Sequence, residues 1–366
     1  KRKTILRHAY ENVPYYKNRY RQAGLHPDDI AKPQDWQDIP LLTRDDLVNY
    51  HHDPLARSVS PWRRRSSTTG GSTGQPVKVY HDSHYQQEIL GWRMLGWWGL
   101  QPGADIAYAL RTTRSGRLSR TLNALAWRPT RRLLLDASSM SEKDLAIFTG
   151  RFNRLKPPLL QGYTGAIECF AAYVERNGIR MHWPAAVWVT SSPLSTGRRQ
   201  LIETAFNAPV YDQYGCGEVS WLAAQCSHRQ GLHIFADARQ VECVDDTGKT
   251  CDAKQLGAIA VTDLENFVFP FIRYVDGDQG ALLDETCSCG INLPLMDAVK
   301  GRLTDMVYLR DGTTVSGDYL TTIFDNCPDV VRAFQVVQQA NSSLVVRVVP
   351  NLQCKNPSVK LDEVRR

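Results

Sequence analysis

Long apolar runs are missing from this sequence, as are the other features that mark membrane-spanning, secreted and repeat proteins. No segment reaches the roughly eighteen consecutive apolar residues that suggest a membrane-spanning helix. The basic residues at the start are not followed by the apolar stretch of a secretion signal. Internal repeats and low-complexity tracts are also absent. These absences favour a globular protein without a membrane span, and we expect it in the cytoplasm.

Cysteines are few, with nine scattered over 366 residues. In a long chain without a secretion signal they predict reduced thiols or metal ligands rather than a disulfide framework. The apolar content of 42% and the charged content of 22% are ordinary for a globular protein. A chain of this length predicts two or three domains with a sizeable core.

Acidic residues are missing from one basic stretch, although the net charge is only +6. This stretch contains seven arginines: Arg111, Arg114, Arg117, Arg120, Arg128, Arg131 and Arg132. No nucleic-acid recognition motif or pattern of interleaved aromatic residues accompanies them, so we expect no nucleic-acid partner. The stretch is either a solvated face or a docking surface for an acidic partner or a phosphorylated ligand.

Alternating helical and strand patterns predict an α/β protein with a mainly parallel sheet. Helices are predicted at 83–98, 141–155, 165–177 and 197–206, and strands at 106–110, 133–135, 186–189 and 210–211. Thr43 is a predicted helix N-cap. After about Gly231 the pattern becomes β-rich and antiparallel, with strands predicted at 241–244, 306–309, 334–337 and 344–349.

These patterns predict two domains. Residues 1–300 form a large multilayer N-terminal domain whose β-rich part covers about 231–300. Residues 301–366 form a small α+β domain, which we expect to be incomplete.

The segment 68–76 (TTGGSTGQP) combines three glycines with four hydroxyl side chains. Glycine lets the backbone approach an anion, and Ser and Thr hydroxyls donate to phosphate oxygens. The segment fits neither G-x-x-x-x-G-K-[ST] nor G-x-G-x-x-G. It is either a phosphate-binding loop or a flexible polar turn.

Two further segments contain residue types found in nucleotide sites. In 210–218 (VYDQYGCGE), Tyr214 could stack on a base, Asp212 could accept from an amino group, and Glu218 could hold Mg²⁺. In 273–280 (RYVDGDQG), the carboxylate of Asp278 could accept two ribose hydroxyls. The alternatives are an ordinary glycine-rich turn and an Asp-Gly turn.

In this order, these segments resemble the adenylate-forming superfamily of acyl-CoA synthetases. Within this superfamily, the chain is similar to the subfamily of the phenylacetate–coenzyme A ligase and capsular-polysaccharide type. The resemblance covers almost the whole chain. It rests on segments 10–16 (YENVPYY), 39–43 (IPLLT), 69–76, 162–163, 190–194 (TSSPL), 211–218, 274–278 and 301–305.

The resemblance implies a role for each matching residue. The phosphate loop (Thr69, Gly70, Gly71, Ser72, Thr73 and Gly74) would bind ATP, with Thr73 and Glu218 assisting catalysis and Glu218 binding Mg²⁺. Nucleotide contacts are implied for Ser191, Ser192, Pro193, Asp212, Gln213, Tyr214, Gly215, Asp278 and Arg302. Tyr163, Gly215 and Cys216 would border the acyl pocket. Tyr163 and the tryptophans Trp97 and Trp98 suggest an aromatic or hydrophobic acid.

The sequence departs from the superfamily pattern in two places. Gln75 stands where many members have a loop lysine. Only 64 residues follow Arg302, and they contain no recognisable glycine–lysine segment of the C-terminal lid; Lys355 and Lys360 have the wrong context. Either the lid is truncated here or the protein differs mechanistically.

A second metal site is suggested by Cys226, His233, Cys287 and Cys289. Three thiolates and one imidazole form a common structural zinc set, and some relatives of the subfamily carry such a zinc. His228 is the competing fourth ligand. Free cysteines are the alternative.

Three function classes follow. The first is an ATP- and Mg²⁺-dependent ligase that makes an acyl-adenylate and passes the acyl group to coenzyme A, an acidic carrier protein or an amine. The second is a catalytically impaired nucleotide-binding scaffold of the same fold. The third is another nucleotidyl- or phosphoryl-transfer enzyme.

Overall fold

A computed structural model describes residues 1–50, 54–70, 76–85, 87–111, 125, 127–299, 306–308, 314–316, 330–339 and 343–350. Over these ranges the chain is a mixed α/β protein, as predicted. A search of their helices found none long and apolar enough to cross a membrane. Much of 301–366 lies outside the described ranges, so the division into domains 1–300 and 301–366 stays a prediction.

Seven α-helices lie in the described part of the chain. They are α1 (Arg2–Asn12), α2 (Pro14–Gln22), α3 (Arg44–Asn49), α4 (Glu88–Trp97), α5 (Glu142–Leu155), α6 (Thr164–Arg176) and α7 (Thr196–Phe206). The predicted N-cap at Thr43 is confirmed, because its side chain accepts from the amide of Asp46. Ser141 caps α5 in the same way. Helix α4 begins later than the predicted residue 83, since strand β2 extends to Asp82 and a turn follows at 83–85.

Eighteen strands lie in the same ranges. They are β1 (Arg64–Gly70), β2 (Pro76–Asp82), β3 (Ile106–Leu110), β4 (Arg132–Asp136), β5 (Leu159–Tyr163), β6 (Ala186–Thr190), β7 (Val210–Tyr214), β8 (Ala223–Ala224), β9 (Leu232–Ile234), β10 (Arg239–Val244), β11 (Gly257–Asp263), β12 (Tyr274–Gly280), β13 (Leu282–Leu283), β14 (Leu295–Met296), β15 (Met306–Tyr308), β16 (Thr314–Ser316), β17 (Val331–Gln338) and β18 (Leu344–Pro350).

The central sheet has nine strands in the order β13-β14-β9-β8-β7-β6-β5-β3-β4. Strands β3 to β7 are parallel. Strands β8, β9, β13 and β14 extend the sheet in antiparallel fashion beyond β7. The mainly parallel sheet predicted from the sequence is therefore confirmed for the half that carries the βα units.

Helices cover both faces of the parallel half. In β6, Val187 and Val189 join a core formed with α5, α6 and α7. The alternate residues Ala186 and Trp188 join a second core with α4. Because successive strand side chains point to opposite faces, this fully apolar strand needs a helical layer on each side.

The β-rich region from Gly231 onwards includes the antiparallel three-stranded sheet β10-β11-β12. It shares a core with the N-terminal helices, where the hydroxyl of buried Tyr16 donates to the carbonyl of Pro270 at 2.8 Å. At 276–278 the structure does not form the ordinary Asp-Gly turn that was the alternative to a ribose-binding carboxylate. These residues lie within β12 as a bulge, where the register shifts opposite Ile259 and Gly277 has φ +94°.

Candidate functional site

Three parallel strands end side by side at the centre of the sheet. Tyr163 at the end of β5 is paired in register with Thr190 at the end of β6, and Thr190 with Gln213 near the end of β7. In open α/β sheets, ligands bind outside the carboxyl ends of the strands. The residues predicted from sequence at these three strand ends are therefore brought to one edge of the sheet, which we call the edge site.

The segment after β6 is fixed by the helix that follows β5. The Thr164 hydroxyl lies 3.0 Å from the carbonyl oxygen of Thr190 and 2.9 Å from that of Ser192. Ser191 between them has φ +78°. Arg198 donates to the carbonyl of Pro193 at 3.3 Å. The backbone of 191–193 is thus held against the ends of β5 and β6.

Side chains alternate along β7 between the core and the edge site. Tyr211 stacks on Trp98 with ring centroids 4.9 Å apart, on the face that α4 covers. Asp212 and Tyr214 lie on the opposite face. Burial raises the pKa of Asp212 to about 7, against the opposing charge of Arg199. Gln213 is buried, and its side-chain amide donates to the carbonyl of Tyr214.

The turn after β7 leaves no room for a larger residue at Gly215. A Cβ there would lie 2.8 Å from the backbone nitrogen of Trp221. The Cys216 thiol accepts from the amide of Val219 at 3.3 Å. Burial, followed by the charge of Glu218, raises the pKa of Cys216 well above its usual value, so the thiol is protonated.

Glu218 is buried, and its partners come from two other segments. Arg44 of α3 donates to the Glu218 carboxylate at 2.9 Å. The hydroxyl of Tyr274 in β12 donates to the same oxygen at 3.1 Å. The buried carboxylate is thereby balanced by a cation and a neutral donor.

Tyr214 joins the end of β7 to the bulge in β12. Its hydroxyl lies 2.5 Å from Oδ2 of Asp276 and 3.2 Å from Oδ2 of Asp278. Oδ1 of Asp276 accepts from the amide of Asp278 at 3.0 Å. Burial, followed by the charge of Asp278, raises the pKa of Asp276 to about 8.

Strands β1 and β2 flank the predicted phosphate loop. Their ladder pairs Thr69 with Val77 and ends at the Gly70–Pro76 pair. Val77 packs in the same core as Val219, which follows Glu218 in sequence. Gly71, Ser72, Thr73 and Gly74 of the predicted loop lie outside the described residues, as does Arg302.

The arginine-rich stretch is only partly described. Arg131 pairs with Asp105, and Arg132 lies over the ring of Trp127. Arg114, Arg117 and Arg120 lie outside the described residues. At least two of the seven arginines therefore have partners within the chain.

Trp97 and Trp98, which suggested an aromatic acid, belong to the core instead. Trp98 is buried against Tyr211, and Trp97 stacks on Phe235 with centroids 5.6 Å apart. Tyr163 does lie at the strand edge, where it precedes α6. Neither tryptophan therefore supports an aromatic substrate.

The four residues of the suggested zinc set come together in the antiparallel half of the sheet. One possible ligand atom from each of Cys226, His233, Cys287 and Cys289 lies within 4.8 Å of the others. Cys226 follows β8, His233 lies in β9, and the two remaining cysteines lie between β13 and β14. Burial lowers the pKa of His233, which favours the neutral imidazole that binds metals.

The alternative ligand His228 lies outside this cluster. Its Nδ1 is 2.8 Å from the hydroxyl of Ser288 on an exposed surface. Cys226 and Cys287 approach each other to 3.6 Å between their sulfurs, and Cys289 lies 3.4 Å from Nε2 of His233. The geometry favours His233 over His228.

Sequence reasoning missed four residues of the edge site. Arg44, Tyr274 and Asp276 contact predicted site residues directly, and Thr164 holds the 190–192 backbone. Asp276 lies in segment 273–280, two positions before the predicted site residue Asp278. This second carboxylate was the sequence signal that could have identified Asp276. Arg44 follows the predicted N-cap, and no sequence pattern linked it to Glu218.

Similarity to characterised proteins confirms the resemblance seen in the sequence. No protein-family model matches the chain. A phenylacetate–coenzyme A ligase from Thermus thermophilus is 24% identical over 355 residues, covering 93% of this chain and 77% of that protein. The enzyme of the same name from Escherichia coli is 28% identical, covering 84% and 71%. Protein CapK from Staphylococcus aureus is 24% identical, covering 88% and 71%.

Solved structures confirm the fold. A 2-hydroxyisobutyryl-CoA ligase in complex with 2-HIB-AMP and CoA has a TM-score of 0.70 and 20% identity to this chain. The match covers 99% of this chain and 81% of that one. The fold is that of an adenylate-forming ligase, with a large mixed sheet and smaller additional sheets.

Proposed function

We propose that this protein activates a carboxylic acid with ATP as an acyl-adenylate and then transfers the acyl group to coenzyme A. The supporting observation is the contact of Tyr214 with Asp276 and Asp278, residues 62 and 64 positions away. It brings two of the recognised segments together at the carboxyl ends of the parallel strands. The related proteins named as phenylacetate–coenzyme A ligases support the reaction type.

The proposed chemistry has two steps. A carboxylate oxygen of the acid attacks the α-phosphorus of ATP, and the bond to pyrophosphate breaks as the acyl–phosphate bond forms. The thiolate of coenzyme A then attacks the acyl carbon, and AMP leaves with the electron pair. Such steps depend mainly on positioning and charge neutralisation, which a site of backbone amides, hydroxyls and carboxylates can provide.

Each site residue has a proposed role. Tyr214 packs against the base and Asp278 accepts the ribose hydroxyls, with Arg302 assisting. The adenine is framed by Ser191, Ser192, Pro193, Asp212, Gln213 and Gly215. The phosphates are held by Thr69, Gly70, Gly71, Ser72, Thr73 and Gly74. Tyr163, Gly215 and Cys216, which are partly buried, border the acid.

Glu218 is the residue that would hold Mg²⁺. Mg²⁺ takes oxygen ligands and keeps several waters, so one protein carboxylate beside the nucleotide phosphates is sufficient. The buried carboxylate of Glu218 at the strand edge provides this ligand type. The ion would supply charge neutralisation at the phosphates. Arg44, which contacts the same carboxylate, would then have to share or release it.

Acid-dependent exchange of labelled pyrophosphate into ATP tests the ligase function. We expect exchange with Mg²⁺ and one acid from a panel of aryl, alkyl and hydroxy acids that includes phenylacetate. Thioester formation with coenzyme A, compared with a carrier protein and an amine, then identifies the acceptor. ATP binding without exchange for any acid would favour the nucleotide-binding scaffold instead.

We further propose that Cys226, His233, Cys287 and Cys289 hold one structural zinc ion. Three sulfurs and one imidazole nitrogen match a common structural zinc set, and four protein ligands leave no open position for water. The ion would tie the loop after β8, strand β9 and the loop before β14 together. Its contribution is to stability rather than to the reaction.

Elemental analysis of freshly purified protein tests the zinc proposal. We expect one zinc per chain, lost in Cys287→Ser/Cys289→Ser and retained in the matched control Cys251→Ser, whose thiol lies outside the cluster. His228→Ala should retain zinc and His233→Ala should lose it. Trp97, whose ring centroid lies 5.5 Å from that of His233, gives a fluorescence signal for metal loss. Zinc-free wild-type protein would refute the proposal.

A further inference from the structure

The bulge in β12 places two carboxylates around one tyrosine hydroxyl. Residues 276–278 lie between Val275, which pairs with Ala260, and Gln279, which pairs with Ala258. Three residues of β12 therefore face the single residue Ile259. A regular strand could not place Asp276 and Asp278 around one hydroxyl, because the extra residues of the bulge need the positive φ of Gly277.

Asp276 uses both of its oxygens in this arrangement. Oδ2 lies 2.5 Å from the Tyr214 hydroxyl, and Oδ1 lies 3.0 Å from the Asp278 amide. One side chain thus bridges the end of β7 in the nine-stranded sheet to the bulge of the three-stranded sheet. It fixes the side chain of Tyr214 and the backbone of Asp278 at the same time.

The contact of Tyr214 with Asp278 is the weaker of the two. At 3.2 Å it exceeds the usual 2.5–3.0 Å range for O–H···O bonds, whereas the contact with Asp276 lies within it. Asp276 is therefore the main partner of the hydroxyl. Asp278 is held through its amide, so its carboxylate does not have to anchor the tyrosine.

Keeping a second carboxylate here opposes stability. Both acids lie on the same bulge beside a buried tyrosine, and burial, followed by the charge of Asp278, raises the pKa of Asp276. Strained or charge-opposed groups of this kind concentrate at functional sites.

We propose that Asp276 is a positioning residue of the nucleotide site, which holds the ring of Tyr214 and the backbone of Asp278 in the relation that binds base and ribose. The proposal rests on the proposed function, in which Tyr214 packs against the base and Asp278 accepts the ribose hydroxyls. Asp276 itself does not touch the nucleotide. It acts through these two neighbours.

A double-mutant cycle on ATP affinity tests this role. Asp276→Ser retains an oxygen beside the Asp278 amide but cannot reach Tyr214, and Tyr214→Phe removes only the hydroxyl. We expect about tenfold weaker ATP binding by calorimetry for Asp276→Ser, comparable to the loss of one hydrogen bond that orders the site. Because both changes break the same contact, the double variant should be no weaker than Asp276→Ser alone.

Asp276→Asn separates positioning from charge. Its amide oxygen can accept from the Asp278 amide, and its NH₂ group can donate to the Tyr214 oxygen. ATP affinity should stay within about threefold of wild type in this variant. Asp246→Ser, in an exposed turn of the same region, is the matched control and should bind ATP as wild type does.

The outcomes distinguish the proposal from its premise. Wild-type protein that binds no ATP would refute both the nucleotide site and the role of Asp276. Wild-type binding with additive losses in the cycle, or with unchanged affinity in Asp276→Ser, would refute the role of Asp276 alone. A lower melting temperature of Asp276→Ser without weaker ATP binding would make the residue structural and also refute it.

Discussion

The nine-stranded sheet has a parallel half, β3 to β7, and an antiparallel half, β8, β9, β13 and β14, and the two halves are stabilised by different means. In the parallel half the strands have five residues each and are covered on both faces by large apolar cores. In the antiparallel half β8, β13 and β14 have two residues each and β9 has three. Residues of these strands such as Ala223, Leu232, Ile234 and Met296 join the core of the N-terminal helices, whereas the cluster beside the Cys/His loops has three buried members, Cys226, Cys287 and Leu295.

This difference explains where each site lies. Parallel βα units bring the ends of β5, β6 and β7 to one edge without further ties, because register and crossover direction place them there. Strands of two or three residues have few backbone hydrogen bonds and little apolar surface. The loops between them need another tie, which the Cys/His cluster can supply by binding a metal.

Breaking the core of the parallel half should have the largest effect on stability. Phe170 of α6 is fully buried and packs against Phe148, Phe152 and Phe206. Phe170→Ala should lower the free energy of unfolding by about 3–5 kcal/mol, because it removes packing and leaves a cavity. Chemical denaturation measures this. Zinc content should be unchanged in the folded variant, and a loss of zinc would show that the two halves are not independent.

Removing metal should affect the antiparallel half and have the next largest effect. When the free zinc concentration is a hundred times the dissociation constant, bound zinc stabilises the fold by about 3 kcal/mol. We expect chelation to lower the free energy of unfolding by this amount. Amide exchange should accelerate in β9 and β14 and remain slow in β5 and β6. Equal acceleration in both halves would contradict the local role assigned to the cluster.

A change at the edge site should affect the ligand more than the fold. Asp278→Ala should weaken ATP binding about ten- to a hundredfold, because a charge-assisted hydrogen bond contributes roughly 1.5–3 kcal/mol. Stability without ligand should change by within about 0.5 kcal/mol, since Asp278 is only partly buried. Calorimetric titration and thermal unfolding measure both. Unchanged affinity would remove Asp278 from the site.

The smallest expected effect is the pH dependence of stability that arises at the bulge. The pKa of Asp276 is raised from 3.8 to about 8, so the folded protein keeps a proton that the unfolded chain loses above about pH 4. Its contribution to the free energy of unfolding therefore falls as pH rises from about 4 to 8. The groups facing it are Tyr214, Asp278, Tyr274, Cys216, and Glu218 with its partner Arg44.

Asp276→Asn removes this titration. Relative to wild type, the variant should gain at least about 1 kcal/mol of stability between pH 5 and pH 8, since one pKa unit corresponds to about 1.4 kcal/mol. Asp212, whose pKa is raised to about 7, contributes the same slope to both proteins. Denaturation at the two pH values measures the difference, and parallel pH profiles would contradict it.

Much of the parallel half was predictable because its signals are local. Helices α5, α6 and α7 begin and end within one residue of the predicted bounds, and Ser141 and Thr43 have recognisable cap chemistry. Strand β5 was not predicted. Its last three residues, Gln161, Gly162 and Tyr163, lack the apolar pattern, and its place is fixed by pairing with β3 and β6.

The zinc set was suggested by residue types, and the structure decided between its alternatives. Cys226 and Cys287 are 61 positions apart, so only the pairing of β8, β9 and β14 brings them near each other. The sequence favoured His233 as the fourth ligand and left His228 as its competitor. The inward direction of His233 in β9 and the outward position of His228 separate them.

Four of the five parallel strands, the helices α5 to α7, the helix cap at Thr43, the resemblance to adenylate-forming ligases and the residue types of both sites could be read from the sequence alone. These depend on periodicity and on segments of a few residues, which chemistry within each segment specifies. Only the tertiary structure placed Arg44 on Glu218 and Asp276 between Tyr214 and Asp278. The contacts of Arg44 with Glu218 and of Asp276 with Tyr214 join segments 62 or more positions apart, and their geometry depends on how separate sheets and helices pack together.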